Sequence, residues 1–515
     1  MTLAADWIAF NADRTPDKTA LIDQHTGREF TYADVDRRSA RLAGFLRDRW
    51  RVQPGDVVAI LAKNSAEYYV FQFACIKLGA VMLPLNWRLA EPELLYILRD
   101  ADAQGLLYDT EFAERVPPLL KQTDMQHTLE IQLNPDSDYE GLVTVGGGTP
   151  VVMDAQTTHE TPMTIMYTSG TTGHPKGVII THGMTFWNMV NISQPTGLNQ
   201  DSVQYMVLPT FHTAGLNLYA NPIFHHGGTV VVAREFDAGR TLQALAYDDL
   251  AITHFFGVPA IYLFLNQHPH FLSADLSRVQ SWGCGGAPMP AALLEKYADQ
   301  GITVQLGFGM TETSPTVFLI AKRRAMHKPE SVGKPLMHTR VRIVDEDFND
   351  VPSGQVGEVV ISGPNVTPGY LNKPEANAKN FTTDEHGNRW LHSGDAGRMD
   401  HEGCIYIVDR YKDMYISGGE NVYPAEVEQV IFQLDGIKDA AVIGVPSKKW
   451  GECGLAVVVS GEDAPTEAEI IDHAQENLAK FKVPQSVAFV DELPRNAAGK
   501  VLKRELRRKF TKQLP

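Results

Sequence analysis

Cysteine is scarce in this sequence. There are four in 515 residues, Cys75, Cys284, Cys404 and Cys453, all far apart. No CxxC pair and no histidine at zinc spacing accompanies them, which argues against a disulfide framework or zinc ribbon and for reduced thiols in a cytosolic setting. Positive charge is in deficit too. The 46 Lys and Arg face 62 Asp and Glu, a formal net charge of −16, and such a field repels nucleic acid and anionic membrane surfaces. Anionic small molecules remain open to it, because local donors hold those. No apolar run approaches the roughly 18 residues that a bilayer-crossing helix needs. The opening stretch MTLAADWIAFNADRTPDKTA carries early acids and no apolar signal-peptide segment. There are no repeats or low-complexity tracts. The expectation is a soluble, cytoplasmic protein, monomer or homodimer, with no nucleic-acid partner and no membrane span.

What is present is 43 % apolar and 21 % charged residues. At the usual 100–200 residues per domain, the length suggests about three globular units. Residues 31–49, TYADVDRRSARLAGFLRDR, set apolar side chains at helical spacing behind a threonine able to cap. A PGD turn (54–56), the strand VVAILA (57–62), a helix through EYYVFQFACIKLGA (67–80) and the short strand VMLPL follow. Further strands are VQYMVLP (203–209), GTVVVA (228–233) and ITHFFGVP (252–259). Such alternation predicts parallel sheets covered by helices. Past about residue 330 the texture changes to short alternating strands with Pro/Gly turns, predicting a small antiparallel sheet or barrel. Beyond IYIVDRYKDMYISGG (405–419) come small α/β segments such as AAVIGVP (440–446) and LAVVVSG (455–461). The acidic GEDAPTEAEI (461–470) reads as a solvated helix start. The fold class expected is therefore α/β. A large N-terminal body, 1–409, has two βα-type subdomains plus a small β-barrel at about 331–409, and a mobile α+β C-terminal domain covers 410–515.

The most informative stretch is YTSGTTGHPKG, Tyr167 to Gly177, behind the apolar strand MTIM. Thr168, Ser169, Gly170, Thr171, Thr172 and Gly173 stand in consecutive positions, and Lys176 follows. Glycines let backbone amides approach an anion, hydroxyls add donors, and a lysine adds charge. Those are the means of gripping a polyphosphate. The pattern is not a Walker A loop, since Lys176 lies between Pro175 and Gly177 and the GxxxxGK[ST] spacing is missing. A plain Ser/Thr/Gly surface turn would not need this density of hydroxyls after an apolar strand.

This loop resembles the phosphate signature of the adenylate-forming superfamily, which includes acyl-CoA synthetases, amino-acid adenylation domains and beetle luciferases. Five more family signatures follow in order: GGAP (285–288), GFGMTE (307–312), HSGDAG (392–397), DRYKDMYISGGENVYPAEVE (409–428) and PRNAAGKVLKREL (494–506). The chain is identified as a member of the acyl-CoA synthetase branch. The resemblance implies an acid–thiol ligase that forms acyl-AMP and pyrophosphate from ATP and a carboxylic acid, then passes the acyl group to CoA. ATP, Mg2+ and CoA are the implied small-molecule partners.

The same resemblance assigns roles. Glu312 matches the magnesium carboxylate, with Thr168 beside it as metal ligand and catalytic group. Magnesium keeps several waters and needs only one or two protein oxygens. Asp395 matches the acid that accepts both ribose hydroxyls, a fit of two acceptor oxygens to a vicinal diol. Arg410 matches its neighbour at the ribose. Gly286, Ala287 and Pro288 match the backbone under adenine, and Gly307, Phe308, Gly309, Met310 and Thr311 line the nucleotide. Phe308 stands where the family usually has Tyr, keeping the apolar face without the hydroxyl. Lys500 matches the lysine that reaches the carboxylate and α-phosphate during adenylation. Lys412 occupies the hinge position, and Gly418, Gly419 and Asn421 match the loop that lines the pantetheine tunnel. One rigid cleft serves both steps poorly, so a C-terminal rotation is expected.

For the acid itself, His212 in PTFHTAG matches the gate beside the carboxylate. Amino-acid-activating relatives usually carry Asp there. Other pocket candidates come from 254–265, 283–286 and 313–318, above all Phe256 and Gly285, and Gly309 and Met310 join them from GFGMTE. None of these windows has a formal charge, which favours a monocarboxylic acid with an apolar body. Of Phe255, Phe256, Tyr262 and Phe264, at least two are expected in the core. The string ITHFFGVPAIY looks most like bacterial fatty-acid ligases, so a fatty acid is the expected substrate. The alternatives are an aryl acid of benzoate or hydroxycinnamate type, or loading of a carrier protein's phosphopantetheine.

Overall fold

The computed structural model describes residues 2–168, 175–247, 249–410, 413–417, 420–447, 450–461, 465–495 and 501–510. Two largely parallel sheets build the large body. The first has six strands in the order His127–Ile131, Ala103–Asp109, Val57–Leu61, Val81–Pro84, Pro162–Thr168, Lys176–Thr181. Only its last pair is antiparallel, a hairpin. The second has nine strands. Its parallel centre runs Thr19–Asp23, Thr229–Val232, Val203–Met206, His254–Gly257, Ser281–Cys284, Val304–Gly309. Antiparallel strands flank it, Arg28–Thr31 at one edge and Thr316–Leu319 with Lys334–Pro335 at the other. The strand expected in ITHFFGVP stops at Gly257 because Pro259 starts the helix Pro259–Gln267, where a missing N–H costs nothing.

The helix Ala66–Leu78 packs on strands of both sheets, and every one of its residues is buried. Its three long polar side chains each find a partner there, although the Gln72 Oε1 is left without one. Gln72 donates to Asn221 Oδ1 at 2.6 Å, and Lys77 pairs with Asp6 and Asp36. Glu67 accepts from Arg38 at 2.6 Å and from the Tyr139 hydroxyl at 2.8 Å. Arg38 belongs to the helix Tyr32–Trp50, which Thr31 caps by accepting from the Asp34 amide, with Asp34 returning the bond.

A five-stranded antiparallel sheet follows, built on Arg340–Val344, Val356–Ser362, Phe381–Thr383, Arg389–Met399 and Ile405–Arg410. Of the two forms expected for this segment, the sheet is the one found. The last unit is another five-stranded sheet whose long antiparallel pair is Ile437–Ser447 with Gly451–Ser460. Helices Pro424–Ile431, Glu467–Asn477 and Lys503–Phe510 accompany it. The acidic stretch does begin a helix, with Thr466 and Glu469 forming a reciprocal cap. No helix among the described residues is long and apolar enough to cross a membrane.

Removing one partner of a buried ion pair strands the other charge. Glu67→Ala should therefore lower stability by about 3 kcal/mol, read from the denaturant midpoint, with Arg38 left to Glu140 alone.

Candidate active site

Three parallel strands, His254–Gly257, Ser281–Cys284 and Val304–Gly309, lie side by side. The segments after them leave at one end of the sheet, where open α/β sheets hold ligands. Gly286, Ala287 and Pro288 are exposed there, and Gly307 to Thr311 are half-buried. Phe308 turns its ring toward Phe318 of the adjoining edge strand Thr316–Leu319, 5.8 Å between centroids, and packs on an apolar cluster that Phe318 shares with the antiparallel sheet. Met310 packs against the same apolar cluster. After Met310 the chain makes a tight 3-10 turn, Thr311–Thr313, which buries Glu312.

A strap, residues 365–371, fastens this turn to the hairpin of the other sheet. The Thr367 amide donates to the Glu312 carbonyl at 2.8 Å, and its hydroxyl donates to the Ile179 carbonyl at 2.6 Å. Ile179 donates to Gly369, and Leu371 donates to Gly177 at 2.8 Å. Tyr370 is thereby set between the two. Its hydroxyl donates to Glu312 Oε1 at 2.9 Å, and Lys176 Nζ stands 4.9 Å from its ring centroid. Burial and the Glu312 charge hold the Tyr370 phenol far above its ordinary pKa, so it remains a donor. Thr168 and Lys176 face each other as the last pair of the hairpin, half-buried, at the mouth of the glycine- and hydroxyl-rich loop. Tyr167, one step back, donates to Asp100 Oδ2 at 2.7 Å, and Lys373 pairs with the other oxygen. One strap thus brings a lysine and a carboxylate from two sheets onto one tyrosine.

Asp395 is buried on the strand Arg389–Met399, in register with Arg410. The turn before it is tied down by Glu358, which accepts from the Gly394 amide at 3.0 Å and bonds His392 at 2.8 Å. Ser393 accepts from the Asp395 amide at 3.0 Å. These bonds fix where the Asp395 carboxylate leaves the sheet.

His212 is half-buried after the strand Val203–Met206. Its Nε2 is shut from solvent and meets no protein hydrogen-bond partner. Burial first, and repulsion from Arg88 second, push its pKa down to about 4. Near the acyl candidates, the Phe256 ring lies across two glycines. A Cβ on Gly283 would sit 2.6 Å from Phe256 Cδ2, and one on Gly285 would sit 3.2 Å from Phe256 Cζ. Tyr219 stands edge-on to Phe256 at 5.9 Å and shares a 3.2 Å hydrogen bond with Ser281. Phe255 and Tyr262 are fully buried against Trp282, and Phe264 points to solvent. Of those four aromatics, Phe256 lays its ring over the glycine strip, whereas Tyr262 reaches it only through its hydroxyl, which donates to the Gly283 carbonyl at 2.7 Å.

Residues 8–371 match the AMP-binding enzyme family, and residues 426–500 match the AMP-binding enzyme C-terminal domain. The chain belongs to that family. Within this adenylate-forming family it groups with acyl-CoA synthetases. It is 41 % identical over 505 residues to feruloyl-CoA synthase of an Amycolatopsis species, covering 98 % of each chain. It is 36 % identical over 506 residues to the long-chain-fatty-acid–CoA ligase FadD13 of Mycobacterium tuberculosis, covering 97 % of each. The structure of ATP-bound MatB from Rhodopseudomonas palustris superposes with a TM-score of 0.89 at 31 % identity, over 99 % of both chains. Apo MatB gives 0.79 at 30 % identity, covering 99 % of this chain and 100 % of MatB. The AMP-binding enzymes that resemble this chain thus include both aryl and fatty acid ligases.

Several residues that sequence reading singles out lie outside the described residues: Ser169, Gly170, Thr171, Thr172, Gly173, Lys412, Gly418, Gly419 and Lys500. Arg410 and Asn421 are described in their strands by backbone alone. Of the rest, the structure gathers Lys176 and Glu312 at Tyr370, pairs Thr168 with Lys176, and sets Phe256 with Gly285 at the strand ends. Sequence reading missed Tyr370, Glu358, Thr367 and Arg88. The usable signal was Tyr370 itself, a lone aromatic in the turn-rich run GPNVTPGYLNKP.

Hydrogen bonds to a charged group contribute about 1.5–3 kcal/mol. Tyr370→Phe should accordingly lower pyrophosphate exchange by roughly one to two orders of magnitude, with circular dichroism and unfolding temperature little changed. Because the folded pKa of His212 is depressed, the unfolded chain takes up its proton first as pH falls. Stability tied to His212 is intact above its ordinary value of 6.5 and is lost between there and about 4. His212→Phe should flatten that part of the stability profile, measured by denaturation at pH 5 and pH 8.

Proposed function

We propose that this carboxylate–CoA ligase acts on a monocarboxylic aryl acid of hydroxycinnamate type. The acid and ATP give acyl-AMP and pyrophosphate, and the thiol of CoA then displaces AMP to give the thioester. The observation that carries the aryl choice is Phe256 laid over Gly283 and Gly285, backed by Tyr219. Flat backbone and ring faces suit a planar acid, whereas a long chain passing down the same strand meets Phe256. Identity is also higher to the feruloyl-CoA synthase, 41 %, than to FadD13, 36 %. That moves the preference from the fatty acid expected from ITHFFGVPAIY to the aryl alternative. The fatty-acid reading keeps the support of the FadD13 likeness over nearly the whole chain.

In this reading two anions must meet, so repulsion is the first obstacle. Lys176 and the loop Ser169–Gly173 would hold the β- and γ-phosphates. Gly286–Pro288 and Gly307–Thr311 would carry adenine, with Asp395 and Arg410 at the ribose. Glu312, steadied by Tyr370, and Thr168 would hold Mg2+. The residues fit that ion, since one carboxylate suffices when phosphates and water supply the other oxygens. When bound, the ion offsets phosphate charge. A neutral His212 with an unpartnered Nε2 suits contact with the acid's carboxylate, and Arg88 adds positive potential beside it. Lys500 would arrive from the C-terminal domain, 410–515, which would swing about Lys412 and bring Gly418, Gly419 and Asn421 to the pantetheine arm. The higher TM-score with ATP-bound than with apo MatB fits an arrangement suited to adenylation.

The test is a panel of ferulate, 4-coumarate, benzoate, octanoate and palmitate, scored for AMP and acyl-CoA. Hydroxycinnamates should lead in kcat/KM by at least tenfold, and Phe256→Ala should raise turnover of the longer alkyl acids. Palmitate leading in the wild type would overturn the aryl assignment. Transfer to a holo-carrier protein but not to CoA would overturn the acceptor. Lys500→Ala should cut adenylation by about 10²–10³-fold yet leave thioester formation from preformed acyl-adenylate nearly intact.

A further inference from the structure

Lys503, three residues past Lys500, is deeply buried and bonds Glu428 at 2.8 Å. Glu428 sits on the helix Pro424–Ile431 and also accepts from the Val442 amide at 2.7 Å. The chain between Lys500 and this pair is short and fixed. Arg495 bridges Val501, and Leu502 donates to the Pro494 carbonyl at 2.7 Å. Farther along the same helix, Arg507 binds the Asp413 carboxylate and carbonyl at 3.0 and 3.1 Å. All these partners lie after residue 412 and would travel together in a rotation.

Asp409 is different. It belongs to the last strand of the large antiparallel sheet, paired with Ala396. Its carboxylate reaches forward and accepts from the Ala425 amide at 2.8 Å, at the start of Pro424–Ile431. That helix has no side-chain cap of its own from Tyr423, so the incoming carboxylate supplies one and faces the positive helix end. Asp409 is also among the acids whose charge acts on Lys503. Lys503 needs only Glu428 for neutrality within its own unit, so Asp409 is surplus to that unit's folding. It acts only while the two units are docked as described.

We propose that Asp409 is a positioning residue, a latch whose carboxylate holds the helix Pro424–Ile431 and, through Lys503, the Lys500 segment in the arrangement for adenylation. Its release would accompany the turn toward thioester formation. The inference rests on the two-step reading above and adds a residue outside the nucleotide and acyl contacts.

The test measures both half-reactions separately in the full-length protein: pyrophosphate exchange, and thioester formation from a synthetic acyl-adenylate with CoA. Couplings of this kind are typically five- to 150-fold, and a single half-buried hydrogen bond belongs near the low end. Asp409→Asn should lower exchange by about tenfold while thioester formation stays within about twofold. Asp409→Glu should recover part of the exchange. A fall of both half-reactions by the same factor, or an unchanged exchange rate, would overturn the latch. Wild-type protein inactive in both half-reactions with every acid of the panel would overturn the two-step reading itself, and the latch with it.

Discussion

The site depends on one bridge, the Tyr370 hydroxyl on the Glu312 carboxylate, with Lys176 over the same ring. Glu312 lies in the tight turn after a strand of one sheet and Lys176 begins a strand of another, so nothing local holds them in register. The strap 365–371 does so through backbone bonds to both sides and leaves the phenol as the only polar group reaching the carboxylate from that segment. A buried acid beside a lysine could pair with it directly and neutralise both. Tyr370 stands between them, its hydroxyl on one carboxylate oxygen and its ring beneath the ammonium.

Two sheets are needed for this because the ligands are long. A nucleotide with its triphosphate exceeds what the loops of a single three-strand edge can contact. The ends of His254–Gly257, Ser281–Cys284 and Val304–Gly309 offer a flat, amide-rich strip, and the hairpin Pro162–Thr181 approaches it from the other sheet. The fully buried helix Ala66–Leu78 holds the sheets together, and its paired Glu67 and Lys77 restrict how they can slide. Those ion pairs add specificity of position more than stability.

Much of this was legible beforehand. The capping threonine at 31, the helix start in the acidic stretch 461–470, the strand–helix alternation, and the change to antiparallel strands after about residue 330 all follow from local chemistry. The motifs singled out Glu312, Asp395 and the hairpin of Thr168 and Lys176 as candidates because glycine and hydroxyl clusters are rare enough to stand out. What stayed hidden is contact between distant segments. Tyr370 is 58 positions from Glu312, and no periodicity joins them. Arg88 is invisible for the same reason: the acyl windows looked free of charge because the cation comes from a different strand end. Conversely Phe255, Phe256, Tyr262 and Phe264 read alike in sequence, and only packing separates core, slot and surface.

The net charge of −16 gives these local cations their meaning. Every substrate of such a ligase is an anion, and the protein's overall field opposes all of them. Binding therefore has to be local, and in the proposed reading Lys176, Arg88 and the amides of strand ends would reverse the potential at those points. Lys500, proposed here as the cation for adenylation, would be carried on the C-terminal unit, so the potential at the reacting carboxylate would depend on where that unit stands. Its own tether, Lys503, is surrounded by the acids Glu428, Asp409 and Asp413. An acidic setting for the tether and a cationic setting for the substrate are complementary: the first draws the arm in, and the second receives what the arm must neutralise.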